Sequence, residues 1–361
     1  MPNIEKIDFV KIKKLENCVA VISPDGIGDY MFVRQFFKYI KESPKYKENP
    51  VILFEQPNHY NFAKVYDSKY FDEIILYTDD LINFRGDLKR KLNNYDFSTV
   101  ICLQSRKIAK SLVKVIKAEE KIVEYPNIDN LTEIDIKKRF SEFNNIIVTE
   151  CVGYEWERKR IFFERALDIK IKSENLNITP LIDFREKYIT ISLMAMNVYR
   201  CYSNEKWIDV LEYIIRNTRD DVKLLFIGGK IDFDLTNSLI SKLSNKNRCV
   251  NLCGLIDSSM IPVVLKNSEF LLSPETGTVH IAAALNCPTI CLSCGANYGR
   301  CLPHDNVTYI YPDEFDEILV KNSEEIKDFY YFNYKYKTES ISPNKINKYL
   351  YEMLNKLSIN G

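Results

Sequence analysis

Twice along this chain, short apolar runs rich in Val, Ile and Leu alternate with amphipathic helical stretches. The first series predicts strands near 18–23, 50–55, 72–78, 98–104 and 145–149, with helices at 29–42, 60–67, 83–93 and 106–117. The second opens at Tyr188-Ile-Thr-Ile-Ser-Leu193 and predicts further strands near 222–227, 249–253, 269–273 and 288–294. Its helices are expected near 204–217, 234–244, 257–266 and 277–286. Runs that are apolar throughout suit strands covered on both faces, and alternation with helices joins such strands in parallel. At 361 residues the chain can bury two separate cores. The expected fold class is α/β: two Rossmann-like domains whose parallel sheets face an interdomain cleft. The first domain is expected over 1–180 and the second over 181–335, joined by a polar segment around 172–187. Residues 312–342, rich in Tyr, Phe, Asp, Glu and Lys, have no clear period. A last amphipathic helix is expected at about 344–357, with Ile346, Tyr349, Leu350, Met353, Leu354 and Leu357 on its apolar side. Ligands of open parallel sheets bind beyond the carboxyl ends of the strands, so the cleft is the expected site.

Charge narrows the function. Lys+Arg and Asp+Glu both total 50, and a formal net charge of zero argues against a bulk electrostatic nucleic-acid binder. The first residues, Met-Pro-Asn-Ile-Glu-Lys, lack the pattern of a secretory signal. The longest weakly polar run, Thr278 to Cys294, is broken by His280, Asn286 and Pro288 and will not span a bilayer. A cytoplasmic protein with reduced thiols is expected. Cys287, Cys291, Cys294 and Cys301 lie close in sequence, and Cys291 and Cys294 form a C-x-x-C. In a strand, residues three apart point to opposite faces, so this reads as core rather than as a metal centre.

Two turns carry chemistry. Residues 273–285 read Ser-Pro-Glu-Thr-Gly-Thr-Val-His-Ile-Ala-Ala-Ala-Leu, a strand end, a tight turn and a small-residue helix. The first N–H groups of a helix have no internal partner and sit at the positive end of its dipole, so Thr276, Gly277 and Thr278 offer donors to a phosphate. His280 lies one turn further in. The other turn, Ser-Pro-Asp-Gly-Ile-Gly-Asp at 23–29, follows the first strand. Gly26 and Gly28 meet the start of a dinucleotide fingerprint, and Glu55 could bind a ribose. Met31 stands at the third glycine position, however, and Asp29 would put a carboxylate where a pyrophosphate belongs. A fixed base at the cleft suits Asp29 better; a helix-capping role is the plain alternative.

With Gly28-Asp29 after the first strand, and Glu275-Thr-Gly-Thr-Val-His280 then Ala-Ala-Ala-Leu-Asn-Cys-Pro in the second domain, the chain resembles glycosyltransferase family 9, the family of the lipopolysaccharide heptosyltransferases. The resemblance implies a GT-B fold and an inverting, metal-independent transfer without a cofactor. It implies a nucleotide-sugar donor, ADP-linked, on the C-terminal domain and a glycan or lipid-linked glycan acceptor on the N-terminal one. It also implies that the last helix crosses back to the first domain, and it allows peripheral contact with the inner membrane. Asp29 matches the general base. Glu275, Thr276, Gly277, Thr278 and His280 fall on the donor side. The family lysine that precedes a tryptophan by two residues is displaced by one place to Lys206, with Arg200 as its substitute. Asp232 is a ribose candidate, and Asn297 and Arg300, with Gly26 and Gly28, are expected to line the cleft. Glu275 stands where the family usually has Asp, in Asp-Thr-Gly or Asp-Ser-Gly, and leaves heptose specificity open. A nicotinamide enzyme built on Gly26, Gly28 and Glu55, and a silent sugar-binding protein, are the other readings.

Overall fold

Val19–Ile22, Val51–Phe54 and Val100–Cys102 are wholly buried, as strands flanked on both faces must be. The computed structural model describes residues 14–78, 80, 86–127, 131–150, 154–172, 178, 187–301, 303–321 and 333–357. Its first half contains β1 (Leu15–Ile22), α1 (Ile27–Val33), α2 (Phe37–Glu42), β2 (Val51–Glu55), α3 (Tyr60–Tyr66) and β3 (Glu73–Leu76). There follow α4 (Gly86–Leu92), β4 (Tyr95–Cys102), α5 (Lys107–Val115), β5 (Glu120–Asn127), α6 (Glu133–Arg139), β6 (Asn145–Glu150) and α7 (Glu155–Leu167). The second half contains β7 (Tyr188–Ser192), α8 (Asn204–Asn217), β8 (Lys223–Ile227), α9 (Phe233–Ile240), β9 (Cys249–Asn251) and α10 (Ile261–Lys266). It ends with β10 (Leu271–Pro274), α11 (Gly277–Ala284), β11 (Thr289–Leu292), β12 (Val307–Ile310), α12 (Asp313–Val320) and α13 (Pro343–Leu357).

The strands form two six-stranded sheets, ordered β3-β2-β1-β4-β5-β6 and β12-β11-β10-β7-β8-β9, and every pairing is parallel. Counted from its own first strand, each sheet has the order 3-2-1-4-5-6. Its topological switch point lies between β1 and β4 in one and between β7 and β10 in the other, where loops diverge and leave a crevice. Asp29 follows β1, Arg200 follows β7, and Glu275 follows β10. The α/β expectation of two Rossmann-like sheets holds. β5, β12, α6, α7 and α12 are elements that the hydrophobic pattern did not predict. Most of the expected linker, 173–177 and 179–186, lies outside the described residues.

One expectation is overturned. The last helix, α13, does not return to the first half. Its buried face, Ile346, Leu350 and Leu354, packs in one core with Trp207, Leu211 and Ile214 of α8. Tyr202 Oη donates to the carbonyl of Ile341 (3.0 Å), and Lys345 Nζ bonds Asp313 (2.6 Å), so the approach to α13 is tied to the second half as well. α7 packs instead along α1 and the turn that continues it: Phe163 stacks on Phe36 at 4.9 Å, and Trp156 Nε1 donates to Gln35 (2.6 Å).

Candidate active site

Asp29 sits in the first turn of α1, partly exposed, with Gly26 at the N-cap and no side-chain cap on the helix. It therefore does not cap α1. Gln104, just past β4 across the switch point, reaches Asp29 Oδ2 from Nε2 at 3.5 Å, while its Oε1 accepts the N–H of Asp25 (2.7 Å). The sequence reading missed Gln104, although its place at the carboxyl end of a predicted strand was available as a signal. Glu55 corrects the nicotinamide reading. It is wholly buried, accepts from Ser23 Oγ (2.8 Å) and pairs with His59 Nδ1, so no ribose can reach it.

On the other side, Glu275 is 3% exposed and turned inward. Ser293 Oγ donates to its Oε2 (2.8 Å), Asn297 Nδ2 to its Oε1 (2.5 Å), and Arg200 Nη2 lies 3.3 Å from Oε1. Glu275 thus holds Asn297 and Arg200 rather than extending into the cleft. Arg200 also donates to Tyr334 Oη (2.9 Å), and its Nε and Asn297 Oδ1 are buried without a partner among the described residues. Lys206 is engaged elsewhere, at 3.2 Å from Glu339 Oε1 and over the Tyr202 ring. Asp232 accepts the Gly229 N–H (2.8 Å) and closes the turn after β8. Thr276, Gly277 and Thr278 are partly exposed at the start of α11, where Thr276 is the N-cap.

The two turns meet. A Cβ on Gly28 would lie 3.1 Å from His280 Cδ2 and 3.6 Å from Gly277 Cα; one on Gly277 would lie 2.2 Å from Ile27 Cγ2 and 3.0 Å from the Gly28 nitrogen. The approach is closed to a side chain at Gly277 and tight at Gly28. Arg300 reaches across as well, with Nε 3.1 Å from Glu155 Oε2, and its carbonyl accepts the Glu155 N–H (2.7 Å). Glu155 in turn meets Arg158, which meets Glu124 (2.5 Å), and Lys159 bonds Glu124 at 2.7 Å. Burial alone would raise the Glu155 pKa, but Arg300, Arg158 and Lys159 outweigh it and take it down to about 2. His280 is held well below the ordinary histidine value by burial, by His304 and by the nearby Arg200 and Arg300 guanidinium groups. Burial lowers His304 to about 4.

The structure brings Asp29, Gly28, Gly277, His280 and Arg300 to one junction, and Glu275, Asn297 and Arg200 to a cluster behind the α11 turn. Lys206 and Asp232 have their described partners outside both groups. Cys287, Cys291, Cys294 and Cys301 are buried free thiols, and among the described residues no group of three His, Cys, Asp or Glu side chains could hold a metal. Also among the described residues, no helix is long and apolar enough to cross a membrane.

Residues 151–308 match the model of glycosyltransferase family 9 (heptosyltransferase), a stretch that includes the α11 turn and most of the second sheet. None of the curated proteins matches the chain in sequence. Among solved structures, the glycosyl transferase family 9 protein from Veillonella parvula superposes with a TM-score of 0.69 at 12% identity, covering 94% of this chain and 98% of its own. The Escherichia coli ADP-heptose lipopolysaccharide heptosyltransferase II gives 0.66 at 13% identity, with 94% and 99% covered. Escherichia coli heptosyltransferase WaaC, solved with ADP, gives 0.64 at 12%, again with 94% and 99% covered. Identities this low establish the fold, which is GT-B. The family match covers the Glu275–His280 segment and bears out that part of the resemblance, and the glycosyltransferase class with it.

Proposed function

We propose that the protein is an inverting, metal-independent glycosyltransferase that moves heptose or a related sugar from a nucleoside-diphosphate donor to a hydroxyl of a cell-surface glycan. Lipopolysaccharide core and O-antigen are the acceptor classes that fit, and the work would be done in the cytoplasm, at or near the inner face of the membrane. The apposition of the Gly28-Asp29 turn with the Thr276–His280 turn carries the reading. A base at the mouth of one sheet then faces phosphate donors at the mouth of the other. In the proposed step the acceptor oxygen attacks the anomeric carbon, its proton passes to Asp29, and the bond to the diphosphate oxygen breaks. The N–H groups at the start of α11 meet the negative charge that develops on the leaving group. Arg200, aimed by Glu275 and Tyr334, is the better candidate for a diphosphate cation than Lys206, which is engaged with Glu339. ADP is the favoured leaving group, since WaaC, similar in fold, was solved with it.

A thermal-shift panel with ADP, GDP, UDP, CDP and NAD tests the donor. A ligand at a hundred times its Kd adds about 2.7 kcal/mol to stability. Selective stabilisation by one nucleoside diphosphate is expected, and a shift with NAD alone would overturn the reading. Asp29→Asn is expected to lower kcat by a factor of about 100 or more while leaving that shift intact. Full turnover by the variant removes Asp29 from the role of base.

A further inference from the structure

Two of the three histidines in the chain are hydrogen-bonded to each other. His280 Nδ1 lies 2.8 Å from His304 Nε2, and His304 Nδ1 lies 3.3 Å from Tyr154 Oη. Phe32 of α1 packs edge-on against both ends of this row, its centroid 5.1 Å from His280 and 6.2 Å from Tyr154. The far edge of His280 faces the junction: a Cβ on Gly28 would stand 3.6 Å from Nε2. The row thus begins at the α7 N-cap, passes through the loop after Arg300, and ends where the two turns meet.

A neutral imidazole carries one N–H, so a bond between two such rings is made by one proton, and each ring's other nitrogen must be of the opposite kind. Burial favours the neutral form of both rings, and at His280 the neighbouring His304, Arg200 and Arg300 add to it. Two arrangements are then consistent with the row. In one, Tyr154 donates its O–H to His304 Nδ1, His304 donates from Nε2 to His280 Nδ1, and His280 is left with an N–H on Nε2. In the other every proton is reversed, and His280 offers a lone pair. The end group decides. A phenol is a stronger donor and a weaker acceptor than an imidazole, and no other acceptor for the Tyr154 hydroxyl lies among the described residues. Reversal would exchange a phenol O–H bonded to an imidazole nitrogen for the weaker imidazole N–H bonded to a phenol oxygen.

We propose that Tyr154 and His304 act as a tautomer relay that fixes His280 in its Nε2–H form and points that N–H into the mouth beside Gly28. Tyr154 and His304 are positioning residues, and His280 is the group that meets the ligand. Its neutral N–H is a donor for an anionic oxygen and a poor partner for a cation. That this oxygen belongs to a nucleoside diphosphate rests on the glycosyltransferase reading; the tautomer itself does not.

Selective 15N-histidine labelling and long-range 1H–15N correlation of the full chain test the relay, with His59→Gln, His280→Gln and His304→Gln assigning the three rings. The expected wild-type spectrum has a protonated Nε2 and a bare Nδ1 on both His280 and His304. A protonated Nδ1 on His280 overturns the proposal, and this outcome requires no variant to fold. Tyr154→Phe is expected to release His304 into a tautomer mixture and His280 with it; unchanged tautomers in the folded variant also overturn the relay. ADP binding supplies the second readout. Tyr154→Phe is expected to weaken it about twofold, the factor by which an even tautomer mixture dilutes the Nε2–H form. In a His280→Gln background the same change should have no effect, because the glutamine amide supplies a donor at the Nε2 position without the relay. Expected tautomers with no change in ADP affinity support the relay and count against the diphosphate reading of this mouth.

Discussion

At the scale of single residues, the junction depends on two positions that cannot carry a side chain without moving something. The two are unequal. A Cβ at Gly28 meets the edge of His280 at 3.1 Å, a contact that a few tenths of an ångström relieve, whereas one at Gly277 enters Ile27 Cγ2 at 2.2 Å and presses on the Gly28 backbone at 3.0 Å. Gly277→Ala is therefore expected to lose about 1–3 kcal/mol of stability, the usual range for overpacking, and Gly28→Ala clearly less. Ile27→Ala should recover part of the Gly277→Ala loss but not all, because the backbone contact remains. Urea unfolding of the four variants checks the order; equal losses for the two glycines would break the argument. Gly28, Asp29, Gly277 and His280 could be read from the sequence because local turn chemistry marks them. Tyr154 and His304 could not, since nothing near them in the chain anticipates the partners that the folded protein gives them, and Gln104 was marked only by its place at the end of a predicted strand. Glu275 was noticed as a departure, but its inward role depends on Ser293 and Asn297 from the loop after β11 and Arg200 from the loop after β7.

At the scale of elements, the hydrophobic period located the strands that are apolar along their whole length and failed where burial is achieved by charge. β5 carries Glu124, and α7 opens Glu155-Trp-Glu-Arg-Lys-Arg. Neither has an apolar stripe at that point, because Glu124, Glu155, Arg158 and Lys159 are buried against one another. A buried charge is tolerated when paired, and a period built on apolar residues does not register it. α13 was legible as a helix, yet its partner was not: an amphipathic face specifies burial but not against what. Its face meets Trp207 and Ile214 of α8. Leu350→Ala, at a wholly buried position in that core, is expected to cost about 2–5 kcal/mol. The loss should appear as earlier hydrogen exchange in β7, β8 and α8 and leave β1, β2 and β4 protected. Loss of protection in the first sheet instead would mean that α13 crosses back after all.

At the scale of the whole molecule, the two sheets are joined by groups whose charge state differs between the folded and unfolded chain, which makes the junction sensitive to acid. His280 and His304 are buried neutral, so the unfolded chain binds their protons first. Stability they permit at neutral pH is lost as the pH falls from the unfolded value near 6.5 toward about 4 for His304 and lower for His280. Glu155 acts below that window. Its folded pKa of about 2, against an ordinary 4.5, stabilises the native state above pH 4.5, and that contribution, of the order of 3 kcal/mol, disappears as the pH falls toward 2. Both terms weaken the contact of the loop through Arg300 and His304 with the start of α7, so acid should loosen the junction before either sheet unfolds. Stability measured by urea at pH 7, 5.5 and 4.5 is expected to fall through the histidine window, and His304→Gln should flatten that slope. Arg300→Gln removes the cation that reaches Glu155 from the other half, and is expected to move the lower, carboxylate limb upward in pH while leaving the histidine limb in place. A His304→Gln profile parallel to the wild type would show that the acid response originates in groups away from the junction.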